Sequence, residues 1–426
     1  MHAVSFVMPN KPYAEYLPRI IDLELSSRMR SSGAVVIEGA KGTGKTATAS
    51  QVAASSAYLD TDVQLRRLLE VDPSLALEGL RPRLLDEWQV APELWNYVRR
   101  AVDEANAPGQ FVLTGSAVPI DDRTRHSGAG RFSRLRLRPL TMFESGHSSG
   151  LVSLAALFAG EPARATASDL ELPGLVDRLA RGGFPGALRL TQDAARRFNI
   201  DYLDQMSRVD IEGDGRLDHD PHKVSALLRS LARNTASEAR IATLASDLSG
   251  DEGGLARTTI DRYLDSLRRV FLLEEQPAWS PALRSSAVLR KAPKRHLVDA
   301  ALAVAALNSD ARRLMKDPNT LGLVFESFVF QHLLVYGAQL GATVYHYRDS
   351  NGLEADAVLQ LLSGDWMAIE VKLGVGQADA AASNLLRLRD SVAADPPAAL
   401  VVITSTGYAY QRPDGVNVVP MSLLGP

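Results

Sequence analysis

The sequence predicts an α/β protein of several domains, and three stretches carry that prediction. The apolar run Ala34-Val35-Val36-Ile37 passes through the glycine-rich residues 39–46 into a segment suited to a helix. A second apolar strand, ending at Leu84-Leu85, runs into the acidic pair Asp86-Glu87. Near the C-terminus two strands joined by a tight turn carry Asp356 on one and Glu370 and Lys372 on the other. The first two are parts of a parallel sheet with crossover helices, and the third is an antiparallel hairpin in a second mixed domain.

The chain has 426 residues, room for about two to four domains. It is 46% hydrophobic and 23% charged, an ordinary balance for globular protein. A net charge of −3 argues against a polybasic carrier, so any nucleic-acid contact must come from local patches. With no cysteine, disulfides, thiolate zinc sites and cysteine nucleophiles are excluded. The start, MHAVSFVMPNKPY, lacks a basic region followed by an apolar core, and no apolar run approaches membrane-spanning length. The expectation is a cytoplasmic protein with no membrane partner.

Residues 13–30 read as a helix leading into the first strand. Gly39, Gly42 and Gly44 let the following turn fold tightly, so that the backbone N–H groups of Gly39, Ala40, Lys41, Gly42, Thr43 and Gly44 can face an anion. Lys45 can then reach the terminal phosphates of a nucleoside triphosphate, and the Thr46 hydroxyl can bind Mg²⁺. Downstream, Asp86 is placed to hold the Mg²⁺ shell and Glu87 to polarise an attacking water. Together these residues imply ATP and Mg²⁺ as ligands.

A helix over 92–106 precedes the strand Phe111-Val112-Leu113-Thr114-Gly115-Ser116. In a parallel sheet the C-terminal end of this strand faces the nucleotide, so Thr114 or Ser116 either senses the terminal phosphate or simply caps the strand. Residues 123–138 hold Arg123, Arg125, Arg131, Arg134, Arg136 and Arg138. Arg131, in Gly128-Ala129-Gly130-Arg131-Phe132, is the candidate for a catalytic arginine, in cis or from a neighbouring copy. The other arginines cover surface or meet nucleic-acid phosphates.

Residues 140–185 read as mostly helical, a small lid, with Arg181 near the nucleotide as a further option. From His222 three helices follow: Val224, Leu227, Leu228 and Leu231; then Ile241, Leu244 and Leu248; then Ile260, Tyr263, Leu264 and Leu267. With a strand expected over 270–273, this is the pattern of a winged helix-turn-helix. The third helix offers Arg257, Arg262, Arg268 and Arg269, but also Asp261 and Asp265, which oppose a phosphate backbone. Contact with DNA, with RNA not excluded, and a structural or protein-binding role both stay open. Arg290, Lys291, Lys294 and Arg295 form a basic stretch before an alanine-rich helix. Glu326 is the one acid among Leu323, Val324, Phe325, Phe328 and Val329.

In a strand, residues two apart share a face, so Glu370 and Lys372 point together and Asp356 lies on the adjoining strand. This is the pattern of a PD-(D/E)XK nuclease. Asp356 and Glu370 would bind Mg²⁺, Glu326 would add a ligand, and Lys372 would position or deprotonate water. Salt-bridged surface strands are the plain alternative.

From about Tyr16 onward the chain resembles prokaryotic AAA-type P-loop ATPases with a C-terminal winged-helix and PD-(D/E)XK nuclease-like region. The resemblance rests on GAKGTGKT, LLDEWQ, FVLTGSA, GAGRF with PLTMFE, GGFP, TTIDRYLDSL, residues 294–299, GLVFESFV, YRDSNGLEADAVL and AIEVK. It implies Lys45, Thr46, Asp86 and Glu87 for ATP, and Glu326, Asp356, Glu370 and Lys372 for the second site. The loop departs from relatives at Ala40-Lys41-Gly42-Thr43, where a Pro-Arg-Gln-Thr type is frequent, but Lys41 keeps the positive charge. The expected domains are an AAA-type ATPase core over 1–145, a helical lid over 146–212, a winged helix-turn-helix over 213–280 and a nuclease-like α/β domain over 281–426. Two functions follow. Either ATP hydrolysis drives or gates a nucleic-acid-processing domain, or the protein is an ATP-switched binding or regulatory module with an inactive nuclease fold. A homo-oligomer is required only if Arg131 acts in trans.

Overall fold

The computed structural model describes residues 16–118, 127–164, 166–210, 220–248, 257–281, 291–392 and 396–426. The chain forms two compact units, one of residues 1–138 with 269–271, the other of residues 139–268 with 272–426.

The first unit is built on a parallel sheet of β1 (Ala34–Glu38), β2 (Ser55–Tyr58), β3 (Arg83–Asp86), β4 (Phe111–Gly115) and β5 (Phe132–Arg136), in the order β2-β3-β4-β1-β5. Its helices are α1 (Ile21–Ser31), α2 (Lys45–Ala49), α3 (Val63–Leu69) and α4 (Leu94–Ala105). Alternation along β1 explains why the strand is apolar throughout. Ala34 and Val36 join Trp88, Trp95, Val98 and Val102 on one face. Val35 and Ile37 join Leu25, Met29 and Ala49 on the other. A strand covered on both faces must be hydrophobic at every position. Of the helix expected over 13–30, residues 13–15 lie outside the described residues and helix α1 begins at Ile21. Asp22 then accepts the Arg19 backbone N–H at 2.8 Å.

The second unit holds the lid, three-helix and C-terminal segments together. The lid is less helical than expected: β6 (Val152–Ser153), α5 (Leu154–Phe158), β7 (Thr166–Ala167), α6 (Leu172–Arg181) and α7 (Gln192–Gln205). Two-residue strands carry no periodicity to read. Then come α8 (Pro221–Arg233), α9 (Ile241–Asp247) and α10 (Arg257–Arg269), and the antiparallel pair β8 (Leu273–Gln276) and β9 (Lys294–Leu297). The strand expected over 270–273 begins only at Leu273, because Phe271 has φ 63° and Leu272 N–H donates back to Leu267 O at 2.9 Å. The apolar run closes helix α10 instead.

After α11 (Ala300–Ala306), α12 (Ala311–Leu314) and α13 (Pro318–Gln339) come β10 (Thr343–Arg348), β11 (Glu354–Gln360), β12 (Trp366–Lys372), α14 (Ala378–Ser391), β13 (Ala399–Thr404), β14 (Tyr408–Gln411), β15 (Asn417–Pro420) and β16 (Leu424–Gly425). The seven-stranded sheet has the order β10-β11-β12-β13-β15-β14-β7, with β16 paired to β6. β10, β11 and β12 form an antiparallel meander, and β12 pairs parallel with β13 across the α14 crossover. Helix α13 corrects one expectation. Its 22 residues are long and apolar enough to cross a membrane. Here Val324, Phe325, Phe328, Val329 and Leu333 are buried inside the unit, which accounts for the composition.

Candidate functional site

The glycine-rich loop leaves β1 at Glu38 and enters α2 at Lys45. Gly42 (φ 75°) and Gly44 (φ 96°) take left-handed backbone that other residues adopt only under strain. At Gly39 a side chain is excluded for another reason: a Cβ there would lie 2.1 Å from the Leu137 carbonyl oxygen. The loop is braced from outside by Arg19, a buried residue that sequence reasoning did not single out. Its guanidinium donates to Thr43 O at 3.0 Å and to Arg138 O at 2.6 Å. Within the loop, Thr43 Oγ1 donates to Ala40 O at 2.9 Å.

Lys45 is 4% exposed, and its Nζ donates to Gly39 O at 2.9 Å and Ala40 O at 3.0 Å. An ammonium has three N–H donors, so these carbonyls aim the third while holding the group in place. Burial pushes the Lys45 pKa down to about 8, while the charges of Glu87 and Asp86 act in the opposite direction.

The acids are held by hydroxyls. Thr46 Oγ1 donates to Asp86 Oδ2 at 3.2 Å and Thr114 Oγ1 to Asp86 Oδ1 at 2.6 Å. Burial raises the Asp86 pKa, against the two hydroxyl hydrogen bonds. Thr114 Oγ1 also accepts the Glu87 backbone N–H at 3.0 Å, and Glu87 itself sits at φ 53°. The Glu87 carboxylate accepts from Ser116 Oγ at 2.8 Å and from Gln89 Nε2. Thr114 is therefore buried between the two acids, engaged with both, and it organises them. The sequence leaves this hydroxyl either sensing the terminal phosphate or capping the strand; here both of its hydrogen bonds go to the acidic pair. Thr46 and Asp86 converge as a hydroxyl–carboxylate pair of the kind that suits an oxygen-loving Mg²⁺ beside the loop.

Arg131 is not where a cis role requires. Its carbonyl accepts Ala34 N–H at 3.0 Å, level with the start of β1, whereas the loop begins at the far end of that strand. The five-residue strand separates them by about 13–16 Å, beyond an arginine's reach. Arg131 instead donates to Asp103 at 2.8 Å and to Ala129 O at 3.1 Å. Arg136, in register with Glu38, lies level with the loop, its guanidinium 3.9 Å over the Phe271 ring. Its positive charge is among those that lower the Lys45 pKa. Arg134 pairs with Glu38. Arg123 and Arg125 lie outside the described residues. Arg181 pairs with Asp177 at 3.1 Å and donates to Leu190 O.

In the second unit the structure brings Glu326, Asp356, Glu370 and Lys372 together, and adds Lys294. Lys372 Nζ is 2.6 Å from Glu370 and 3.5 Å from Asp356. Lys294 Nζ is 2.5 Å from Glu326 and 3.9 Å from Asp356. Asp356 also accepts the Val371 N–H at 2.7 Å, and Glu370 the Asn384 amide at 2.6 Å. Burial, then the charge of Asp356, pushes the Glu326 and Glu370 carboxyls up. Burial works against the charge of Lys294, yet Glu326 and Asp356 hold its pKa above the ordinary value. Among the described residues no group of three or more His, Asp or Glu side chains is arranged to hold a metal ion. Lysine ammonium groups lie between the carboxylates that the sequence offers to Mg²⁺.

The GGFP turn is a packing element. The Gly183 carbonyl accepts the Leu140 N–H at 2.7 Å, and buried Asp299 accepts Gly183 N–H at 2.7 Å. These contacts tie GGFP to the PLTMFE segment and to the 294–299 stretch.

The parallel sheet with a braced phosphate loop and hydroxyl-held acids defines an ATP-binding P-loop domain. Residues 31–145 match the AAA domain family, so this region is an AAA-type ATPase domain. Residues 172–313 and 321–424 match two domains of unknown function, DUF8612 and DUF4143. The chain is 27% identical over 351 residues to the uncharacterized protein Rv2008c of Mycobacterium tuberculosis, covering 79% of this chain and 70% of that one. The uncharacterized protein Mb2031c of Mycobacterium bovis matches to the same extent. Among solved structures, the Walker-type ATPase PABY2304 of Pyrococcus abyssi is 12% identical with TM-score 0.45, covering 70% of this chain and 98% of that one. AMPPCP-bound DnaA from Aquifex aeolicus is 12% identical with TM-score 0.28, covering 58% of this chain and 86% of that one.

Proposed function

We propose that the protein is a Mg²⁺-dependent ATP hydrolase that works as a switch, its C-terminal region being a binding or regulatory module that does not cut nucleic acid. The observation that carries the hydrolase reading is the continuous bond chain Thr46–Asp86–Thr114–Glu87. It sets a Mg²⁺-type ligand pair and a water-orienting carboxylate at fixed positions, which is the preorganisation phosphoryl transfer needs. Thr46 and Asp86 would hold the magnesium, which when bound offsets phosphate charge. Lys45 neutralises phosphate, and Glu87, steadied by Ser116 and Gln89, orients water. Arg131 belongs to this chemistry only in trans, from a second copy.

The domain reading is an ATPase core over 1–145, a lid over 146–212, a winged-helix module over 213–280 and a nuclease-like domain over 281–426. Three helices followed by strand β8, which pairs with β9 beyond the module's expected end at 280, support the winged-helix assignment, with DNA as the candidate partner. The order α13-β10-β11-β12-α14-β13 and the convergence of Glu326, Asp356, Glu370 and Lys372 support a nuclease-like fold. Lys294, a second ammonium beyond the Lys372 of the pattern and seated against Glu326 and Asp356, favours the non-cutting form.

The hydrolase reading predicts that Glu87→Gln keeps ATP binding and lowers turnover by about 10²–10³-fold. Undiminished hydrolysis by that variant would remove Glu87 from the mechanism. For the C-terminal region, plasmid and single-stranded DNA are incubated with Mg²⁺ or Mn²⁺, with and without ATP. Binding without cleavage is expected, and cleavage lost in Asp356→Ala would establish the nuclease instead.

A further inference from the structure

We propose that Lys294 is the built-in cation of the C-terminal carboxylate cluster, standing where a divalent metal would otherwise bridge Glu326 and Asp356. The inference rests on the non-cutting reading of residues 281–426 and names the residue responsible for it.

The position is defined by distance and burial. Lys294 Nζ lies 2.5 Å from Glu326 and 3.9 Å from Asp356, with side-chain exposures of 13%, 15% and 12% for the three. A divalent cation in such a site needs several carboxylate oxygens turned to one point. An ammonium at that point takes a Glu326 oxygen as hydrogen-bond acceptor, faces Asp356 at ion-pair distance and brings one positive charge in place of two.

Lys294 cannot be regarded as a surface lysine that happens to swing inward. It opens β9, where it pairs with Gln276 of β8. The Gln276 amide donates to the Asp356 and Tyr345 carbonyls, each at 2.8 Å, which fastens the β8–β9 pair to the β10–β11 backbone. Two residues along β9, His296 shares the face of Lys294. Its ring stacks on Phe330 of α13 at 4.1 Å, and its Nδ1 is 3.1 Å from Ser327 Oγ. The strand is thus pinned to the sheet and to α13, and Lys294 is delivered from between those anchors onto Glu326 of the same helix. Lys372 differs. It stands two residues from Glu370 on β12, is 28% exposed, and bridges Glu370 and Asp356. Three carboxylates are balanced by two lysines, and only Lys294 comes from outside the α13–β12 segment.

The test uses the full chain and Mn²⁺ alone, without nucleotide, with binding followed by the loss of the free-ion electron paramagnetic resonance signal. Lys294→Met is expected to gain a manganese site about tenfold tighter than any in the wild type, and Lys294→Met/Asp356→Asn to lose it again. Thermal unfolding with and without Mn²⁺ gives a second reading, since metal binding raises the midpoint of even a destabilised variant. If Lys294→Met does not fold, Lys294→Gln takes its place: it keeps a hydrogen-bond donor for Glu326, removes the charge and leaves both carboxylates, and is expected to show the same gain. No gain in any folded variant would overturn the role of Lys294 and, with a wild type inert towards DNA, would leave the non-cutting reading standing. Manganese binding by the wild type that is lost in Asp356→Asn would overturn the proposal directly. Asp356-dependent cleavage by the wild type would remove the reading on which it rests.

Discussion

In the first unit Asp86 and Glu87 are held by the hydroxyls of Thr46, Thr114 and Ser116 and by the Gln89 amide. In the second, Glu326, Asp356 and Glu370 each face an ammonium group, of Lys294 or Lys372, in addition to the Val371 N–H on Asp356 and the Asn384 amide on Glu370. Neutral donors fix the position of an acid and leave its charge available to a cation. Ammonium donors fix the position and neutralise the charge as well. Lys45 shows the same logic from the other side: backbone carbonyls, not carboxylates, hold it at 2.9–3.0 Å, so its charge is kept for an anion. Sites built to receive a charged ligand and clusters built to satisfy themselves can therefore use the same residue types, distinguished by who partners whom.

The comparison breaks most easily at Lys45. Lys45→Ala is expected to lower ATP turnover by about 10³-fold or more in steady-state assays, since the charge it supplies has no substitute among its carbonyl partners. A fall of less than about tenfold would mean the loop is not a working phosphate site. A smaller effect sharpens the role of the neutral donors. Thr114→Val keeps the side-chain volume but removes the hydroxyl shared by Asp86 and the Glu87 N–H. It should cut kcat by about 10–100-fold while ATP affinity changes by less than about threefold. Equal losses in both would show that Thr114 contacts nucleotide after all.

The smallest effect separates the two units by pH. The described residues of the first unit include no histidine, whereas the second buries His332. Its Nε2 accepts the Met142 N–H at 2.9 Å and its Nδ1–H donates to Phe328 O at 2.7 Å. Burial pushes its pKa from 6.5 down to about 4. As pH falls below 6.5 the unfolded chain takes up a proton that the folded chain refuses. Stability is therefore full above pH 6.5 and is lost progressively towards pH 4. His332 contributes about 2–3 kcal/mol to that loss. Chemical denaturation of the wild type and of His332→Gln at pH 7 and pH 5 checks it: the wild type should lose more stability between the two pH values than the variant.

Much of the nucleotide site was legible because its parts are contiguous. Residues 39–46 and the pair Asp86-Glu87 each sit at the end of one apolar strand, and parallel pairing brings strand ends together. Arg131 was misplaced for a cis role because the run 123–138 looks alike along its length, and only the register of β5 with β1 separates its two ends. In the second unit the strand pattern placed Asp356, Glu370 and Lys372 on neighbouring strands, and Glu326 stood out as one acid in an apolar helix. Lys294 left no such mark. It lies in a stretch of basic residues, and its partners are 32 and 62 positions away. The one local hint was His296 two residues on, with apolar Leu297 and Val298 beyond, which marks a buried strand face rather than a solvated run.

The central claim is that one charged cluster takes a cation with its ligand while the other carries its own. Counting bound Mn²⁺ by electron paramagnetic resonance in the wild-type chain, with a non-hydrolysable ATP analogue present, tests it most directly. The account predicts one Mn²⁺ per chain, dependent on nucleotide and lost in Thr46→Ala. Two Mn²⁺ per chain, with the second lost in Asp356→Asn, would contradict it.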